Sequence, residues 1–295
     1  MKTQKTAICY FSGTGNTKVV SELLAKEIAK IQGNMTILRN IEDMLRDMNG
    51  LIHMAVDLIG IAYPIYGFGT PEIIKHFVDQ FEPVQDRKVF ILLTGADYIR
   101  INHNATASIK RKLQKKGYEV IYERIIAMGS NWLMAYDDHM VRLLYQAAQR
   151  KVVHMSIELQ NEVRRIYQPN IAIRSTAPMI NFCEEKMGAK IFGRFLYANP
   201  QCNHCGRCVK HCPSQNIRLE EGQIKFGNKC YMCMRCIYTC SQKAIEAGTM
   251  QFVVLKNGYD IENLINNSPE EEPFIESNLV GYFKHFIAYL KDDTM

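Results

Sequence analysis

The stretch CNHCGRCVKHCP, residues 202–213, and its echo CYMCMRCIYTC, residues 230–240, constrain this chain more than any other feature. In each run three cysteines stand three apart and a fourth follows four residues later. Eight of the ten cysteines therefore fall between Cys202 and Cys240, and only Cys9 and Cys183 lie elsewhere. The N-terminus, MKTQKTAICYFSGTG, enters an apolar run at once and lacks the charged, apolar and small-residue regions of a signal peptide. No apolar stretch is long enough to span a bilayer. The expected location is the cytoplasm. In that reducing compartment clustered cysteines serve as metal ligands or redox groups more readily than as disulfides.

Thiolates are soft ligands suited to iron. Three of them in one short loop can wrap one face of a four-iron four-sulfide (4Fe-4S) cluster, and the fourth ligand must come from elsewhere. In the bacterial two-cluster arrangement the fourth cysteine of each run ligates the other cluster. The spacing here supplies that pattern twice. It assigns Cys202, Cys205, Cys208 and Cys240 to one cluster, and Cys230, Cys233, Cys236 and Cys212 to the other. Pro213 follows Cys212 as that pattern expects, while Ser241 stands where the second proline would be. Gly206 allows a tight turn beside the cluster. A zinc site with four thiolates is the rival reading, but it would use four of the eight cysteines and leave the others unexplained. With four thiolates on each cluster, the expected role is electron transfer. Arg207, Lys210, Arg218, Lys225, Lys229, Arg235 and Lys243 outnumber Glu220, Glu221 and Glu246 in this region. That excess fits an acidic partner or an ordinary solvated surface.

The first half alternates strand and helix signals. TAICYFS, MTILRN, VDLIGIAYPIY, RKVFILLTG and YEVIYERIIAM read as five strands. Between them GNTKVVSELLAKEIAKIQG, TPEIIKHFVDQFE and NATASIKRKLQKKG read as helices, the second with Thr70 as N-cap and Pro71 at its first position. Such alternation implies right-handed crossovers and a parallel sheet covered on both faces. A helical pattern from about Leu133 to Tyr167 ends at Pro169, and APMINFCEEKMGAKIFGRFLYA follows a Ser175–Thr176 cap. The sequence thus divides into residues 1–170, a helical connector at 171–198, the cysteine domain at 199–247 and an extension at 248–295. The extension holds an acidic loop, SPEEEP, and a candidate amphipathic helix in NLVGYFKHFIAYLKD.

FSGTGNTK closes the first strand and opens the first helix. Ser12, Gly13, Thr14, Gly15, Asn16 and Thr17 offer backbone N–H groups, hydroxyls and a helix N-terminus to an oxyanion. The loop is not a Walker A motif, and Lys18 occupies the third glycine position of the dinucleotide fingerprint. A mononucleotide phosphate fits better than a pyrophosphate, and a simple strand–helix turn with an N-cap is the plainer alternative. An aromatic residue, then Ser-x-Thr-Gly-Asn-Thr, then a helix, resembles the FMN phosphate loop of flavodoxins. That resemblance implies a doubly wound α/β sheet in the order 2-1-3-4-5, with flavin at the carboxyl ends of strands one and three. It also implies that PIYGFGTP and TGADY flank the flavin ring. By position, Pro64, Ile65, Tyr66 and Gly67 would line one side, and Thr94, Gly95, Asp97 and Tyr98 the other. The loop at 64–71 has no tryptophan or acidic cluster and looks more like that of flavodoxin-like reductases.

The remaining candidates read as structural. Cys9 sits in a buried strand, Cys183 on an apolar helix face, and Trp132 in the core, with packing near a cofactor as its alternative. The eight histidines show no metal-ligand spacing. The net charge of +6 comes without a dense basic run or a nucleic-acid motif. The whole chain resembles flavodoxin-like proteins fused to a bacterial-type two-cluster ferredoxin, a small α+β domain, a family found mainly in anaerobes. The resemblance implies an FMN- and iron–sulfur-dependent oxidoreductase. It would relay single electrons between two 4Fe-4S clusters and FMN, and serve a redox protein partner or a small acceptor. The alternative is an electron carrier or redox sensor without turnover, whose flavodoxin-like half is a docking module.

Overall fold

The computed structural model describes residues 4–31, 33–47, 56–169, 171–267 and 273–294. The acidic loop expected around 268–273 lies almost wholly outside them. In chain order the first half holds β1 (Lys5–Tyr10), α1 (Asn16–Lys30), β2 (Met35–Asn40), α2 (Ile41–Arg46), β3 (Leu58–Pro64), α3 (Glu72–Asp79), β4 (Arg87–Gly95), α4 (Ala107–Lys115), β5 (Tyr118–Ala127) and α5 (Asp138–Gln160). The five strands form one sheet in the order β2-β1-β3-β4-β5, every pair parallel. β3 and β4 are buried on both faces, which is why they read as continuous apolar runs without alternation. One core lies under α1 and α5, around Val20, Leu24, Leu144 and Met155. The other lies under α2, α3 and α4, around Ile41, Ile74, Phe77 and Ile109. Because the strands are parallel, the loops after β1, β3, β4 and β5 all leave the same edge.

Three local expectations give way. The Thr70 hydroxyl does not cap α3; it donates to the Ala105 carbonyl at 2.5 Å, and α3 begins at Glu72 without a side-chain cap. α5 starts at Asp138, where the Asp137 carboxylate accepts from the Met140 N–H. Leu133–Tyr136 are loop, and residues 163–167 run back beside β5, where Arg165 exchanges backbone bonds with Ile121 and Glu123. That segment covers an edge strand, a tertiary demand that periodicity does not report. The connector begins with α6 (Ile171–Cys183) and so precedes its expected Ser175–Thr176 cap. Both hydroxyls donate to the carbonyls of Ile171 and Ala172 instead, the back-bonding available to Ser and Thr inside helices. A π-turn at Glu184–Gly188 leads into α7 (Ala189–Phe195). Cys9 is buried as expected, but Cys183 is exposed, as are Met179, Phe182 and Met187 along the same helical stretch.

The cysteine domain follows as β6 (Tyr197–Ala198), α8 (Arg207–Lys210), the hairpin β7 (Ile217–Glu220) and β8 (Gln223–Phe226), α9 (Arg235–Tyr238) and β9 (Ile245–Glu246). β6 and β9 pair antiparallel and tie its two ends together. The sequence repeat is also a backbone repeat. Left-handed residues recur at matching positions: His204 with Met232, Gly206 with Met234, and Gln215 with Lys243. Phe192, Leu196, Met234, Ile237 and Val253 form its small core.

The extension contributes α10 (Ile261–Asn266) and α11 (Phe286–Lys291). The expected amphipathic helix is a 3-10 turn, Gly281–His285, followed by α11. Phe286, Tyr289 and Leu290 complete the first core. No helix among the described residues is long and apolar enough to cross a membrane.

Candidate functional site

At the carboxyl edge of the sheet lies a cavity of about 520 Å³, within the range that holds a cofactor-sized molecule. Of the residues expected to bind flavin, all but Gly15 and Tyr98 line it. Gly15 has φ 105° and precedes α1, and a Cβ there would stand 2.6 Å from Ile261 Cγ2; both facts demand glycine. α1 has no side-chain cap and no acidic residue in its first turn, so its positive end is left for an anion. Ser12 Oγ accepts from the Gly15 N–H at 3.1 Å, and Thr17 and Thr94 share a buried hydroxyl contact of 2.7 Å.

Partners from distant sequence hold this loop. Asn131 Nδ2 donates to Thr14 Oγ1 at 2.6 Å, Asn16 Nδ2 donates to the Gly129 carbonyl at 2.9 Å, and the Tyr259 hydroxyl donates to Asn16 Oδ1 at 2.6 Å. Tyr66 and Trp132 line the cavity, and among the described residues Tyr66 OH and Trp132 Nε1 are buried with no hydrogen-bond partner. Burial, then the nearby Cys233, raises the Tyr66 phenol well above its ordinary value, which keeps it a donor. An open helix end, a glycine loop and two orphaned donors beside apolar surface fit a flavin mononucleotide. Trp132 lines the cavity and also packs against the small core of the cysteine domain.

Asp97 sits at the cavity rim, where it accepts from the Tyr282 hydroxyl at 2.5 Å and lies 3.0 Å from His285 Nε2. Tyr98 points elsewhere. Its ring stacks on Tyr289 with centroids 4.6 Å apart, and its hydroxyl donates to the His285 carbonyl. The C-terminal aromatics offer it a packing surface that the expectation from loop position did not include.

Cys202, Cys205, Cys208 and Cys240 line one cavity under Ile224 and Ile245. Cys212, Cys230 and Cys233 are near enough to Cys236 for their charges to act on it. Burial, followed by the charge of Cys233 and Cys212, pushes Cys230 up to about 12. Burial lifts Cys236 well above its ordinary value, with Cys233, Cys230 and Cys212 adding to it. Four thiolates of either set would be a donor set suited to a 4Fe-4S cluster. Among the described residues, no group of three or more His, Cys, Asp or Glu converges as a single metal ion would require. Backbone N–H groups donate to sulfur at repeated positions, from Asn216 to Cys212 at 3.3 Å and from Ala244 to Cys240 at 3.4 Å. Such bonds tune a cluster's potential.

The two quartets differ in position. Cys205 is exposed, whereas Cys233 is 8% exposed and belongs to the core beneath the sheet. A Cβ added at Gly13 of the phosphate loop would lie 2.7 Å from the Cys233 carbonyl oxygen. Arg235 closes this seam. Its guanidinium forms a two-pronged ion pair with the buried Glu42 carboxylate and donates to the carbonyls of Ser12 and Gly13, at 2.6 and 3.1 Å, and of His211. Composition alone placed Arg235 in a basic excess that fits an acidic partner or an ordinary solvated surface. It holds the corresponding place to Arg207 in the two runs, yet Arg207 is exposed. Asn131, Glu184, Met232 and Tyr282, which also line the cavity, carried no sequence signal because they converge from separate segments.

Residues 195–241 match the family described as a 4Fe-4S dicluster domain. A 33-residue segment is 46% identical to the polyferredoxin protein MvhB of Methanothermobacter marburgensis and covers 11% of this chain and 8% of that protein. The chain therefore spans a small part of that relative's length. Solved structures similar to the N-terminal half include flavodoxin 2 of Bacillus cereus (19% identity, TM-score 0.39, 54% of this chain and 99% of that one). A Streptococcus flavodoxin (15%, 0.38, 54% and 99%) and an azoreductase of Bacillus anthracis (7%, 0.39, 52% and 98%) are others. The chain thus joins a flavodoxin-like domain, shown by its strand order, to a 4Fe-4S dicluster domain.

Proposed function

We propose that this chain relays single electrons between an external carrier, two 4Fe-4S clusters and an FMN, and serves as an oxidoreductase for that carrier or a small acceptor. The observation that carries this reading is the seam at Gly13, where Cys233 touches the phosphate loop. When bound, the clusters would exchange one electron at a time and the flavin one or two. Cys202, Cys205, Cys208 and Cys240 would hold the outer cluster, with Cys205 at the surface. Cys230, Cys233, Cys236 and Cys212 would hold the inner one, against the cavity wall. Ser12 to Thr17 would hold the phosphate, and Tyr66 and Trp132 would donate from the wall. The exposed side chains at the mouth, Ile99, Leu133, Met134 and Tyr282, suit a flat apolar acceptor.

The test is Cys233→Ala in the full chain. It should lose about half the iron, one of two four-iron clusters, and slow reduction of bound flavin by a one-electron protein donor. Unchanged iron would overturn the ligand assignment, and an unchanged rate would overturn the relay.

A further inference from the structure

The helix that links the two domains also reaches into the cavity. Its single π-turn, Glu184–Gly188, sets Glu184 in the cavity wall, and π-turns within helices occur often at functional positions. The carboxylate packs on Gly67, where an added Cβ would stand 2.5 Å from Glu184 Oε2. On its other side Glu184 lines a second, smaller crevice with Glu72, Glu185, Asn181 and Tyr231. Glu184 therefore lines both the large cavity and this small crevice.

The neighbouring acids are paired. Glu185 binds Lys75, Glu72 contacts Lys75 and Lys186, and Glu42 binds Arg235. Among the described residues the Glu184 carboxylate has no ion-pair or hydrogen-bond partner. The charged and titratable groups that face it are Glu185 and Lys186 on its own helix, Glu72 and Lys75 on α3, Tyr66 beyond β3, and Tyr231 in the second cysteine run. The two lysines are already committed to the other acids. Burial, then the charge of Glu185, pushes Glu184 up to about 7.

We propose that Glu184 is the proton acceptor that accompanies reduction of this site. This rests on the reading that FMN occupies the cavity. Electrons come from the donor to the cofactor, and the added negative charge favours the neutral acid next to it. A proton then moves from solvent, by way of the Glu72–Glu185 crevice, to a Glu184 oxygen. The site's net charge then falls by less than the number of electrons received.

The test uses the full chain loaded with FMN and iron, reduced electrochemically in weak buffer with a pH indicator. At about pH 8 the wild type should take up more protons than Glu184→Gln, by up to about one per chain. At about pH 5, where Glu184 is already neutral, the difference should vanish. Glu184→Asp should keep the uptake. Reduced-minus-oxidised infrared spectra of the wild type should gain a protonated-carboxyl band that Glu184→Gln lacks. Equal uptake by loaded wild type and Glu184→Gln at about pH 8 would overturn the proposal. If Glu184→Gln fails to load, absence of the band in the wild type would do so. A wild-type chain that binds iron but no FMN would instead overturn the relay itself.

Discussion

Arg235→Ala tests the seam between the two domains. Truncation leaves the Glu42 carboxylate, 7% exposed, without its cation. Breaking a buried ion pair on one side costs about 3–5 kcal/mol. The Ser12, Gly13 and His211 carbonyls each lose a charge-assisted bond, but these losses overlap with the first and do not simply add. An expectation of about 4 kcal/mol corresponds to a Tm lower by roughly 10 °C in a chain of this size. Anaerobic thermal unfolding at matched iron content measures it. Freed loop carbonyls should also weaken FMN binding about tenfold, or about 1.4 kcal/mol. The double change Arg235→Met with Glu42→Leu should recover most of the stability, because it strands no charge. A loss under about 1 kcal/mol from Arg235→Ala would refute the reasoning. So would a double variant whose loss equals the sum of the two single losses.

Three further outcomes follow from single residues. Tyr66→Phe removes a buried hydroxyl that has no partner, so stability should stay equal or rise by up to about 1 kcal/mol while FMN affinity falls; the opposite pairing of signs would show that the hydroxyl serves the fold. Gly15→Ala should cost at least about 1 kcal/mol, from φ 105° and the clash with Ile261, and should abolish FMN retention measured on a desalting column. Glu184 is harder to ionise in the folded chain (about 7) than in the unfolded one, so its charge destabilises the fold, not at all below the unfolded value and fully above about pH 7. Chemical denaturation should therefore find Glu184→Gln more stable than the wild type at about pH 8 and equal to it at about pH 4.

What could be read beforehand was local or repeated. The apolar runs of β3 and β4 announce a sheet covered on both faces, and the cysteine spacing announces two four-thiol sets because the three-cysteine loop with its trailing fourth cysteine occurs twice. The parts that escaped arise from packing between distant segments. Arg207 and Arg235 occupy the same place in their runs, and only the second meets Glu42 and the phosphate loop. Tyr98 leaves the cavity because α11, at the far end of the chain, offers Tyr289 as a stacking partner. Cys183 sits on an apolar stripe, and periodicity reports the stripe without saying whether anything covers it. Thr70 has the chemistry of an N-cap, but Pro71 holds the cap position, and the Thr70 oxygen accepts from the Ser108 hydroxyl while its proton goes to the Ala105 carbonyl.

The most direct measurement of the central claim is the FMN and iron content of the same anaerobically purified sample, FMN after acid release. The account expects about one FMN and about eight irons per chain, the content of two four-iron clusters. Iron without flavin, even after FMN is added, would contradict it and leave the sheet domain as a docking module for a two-cluster carrier.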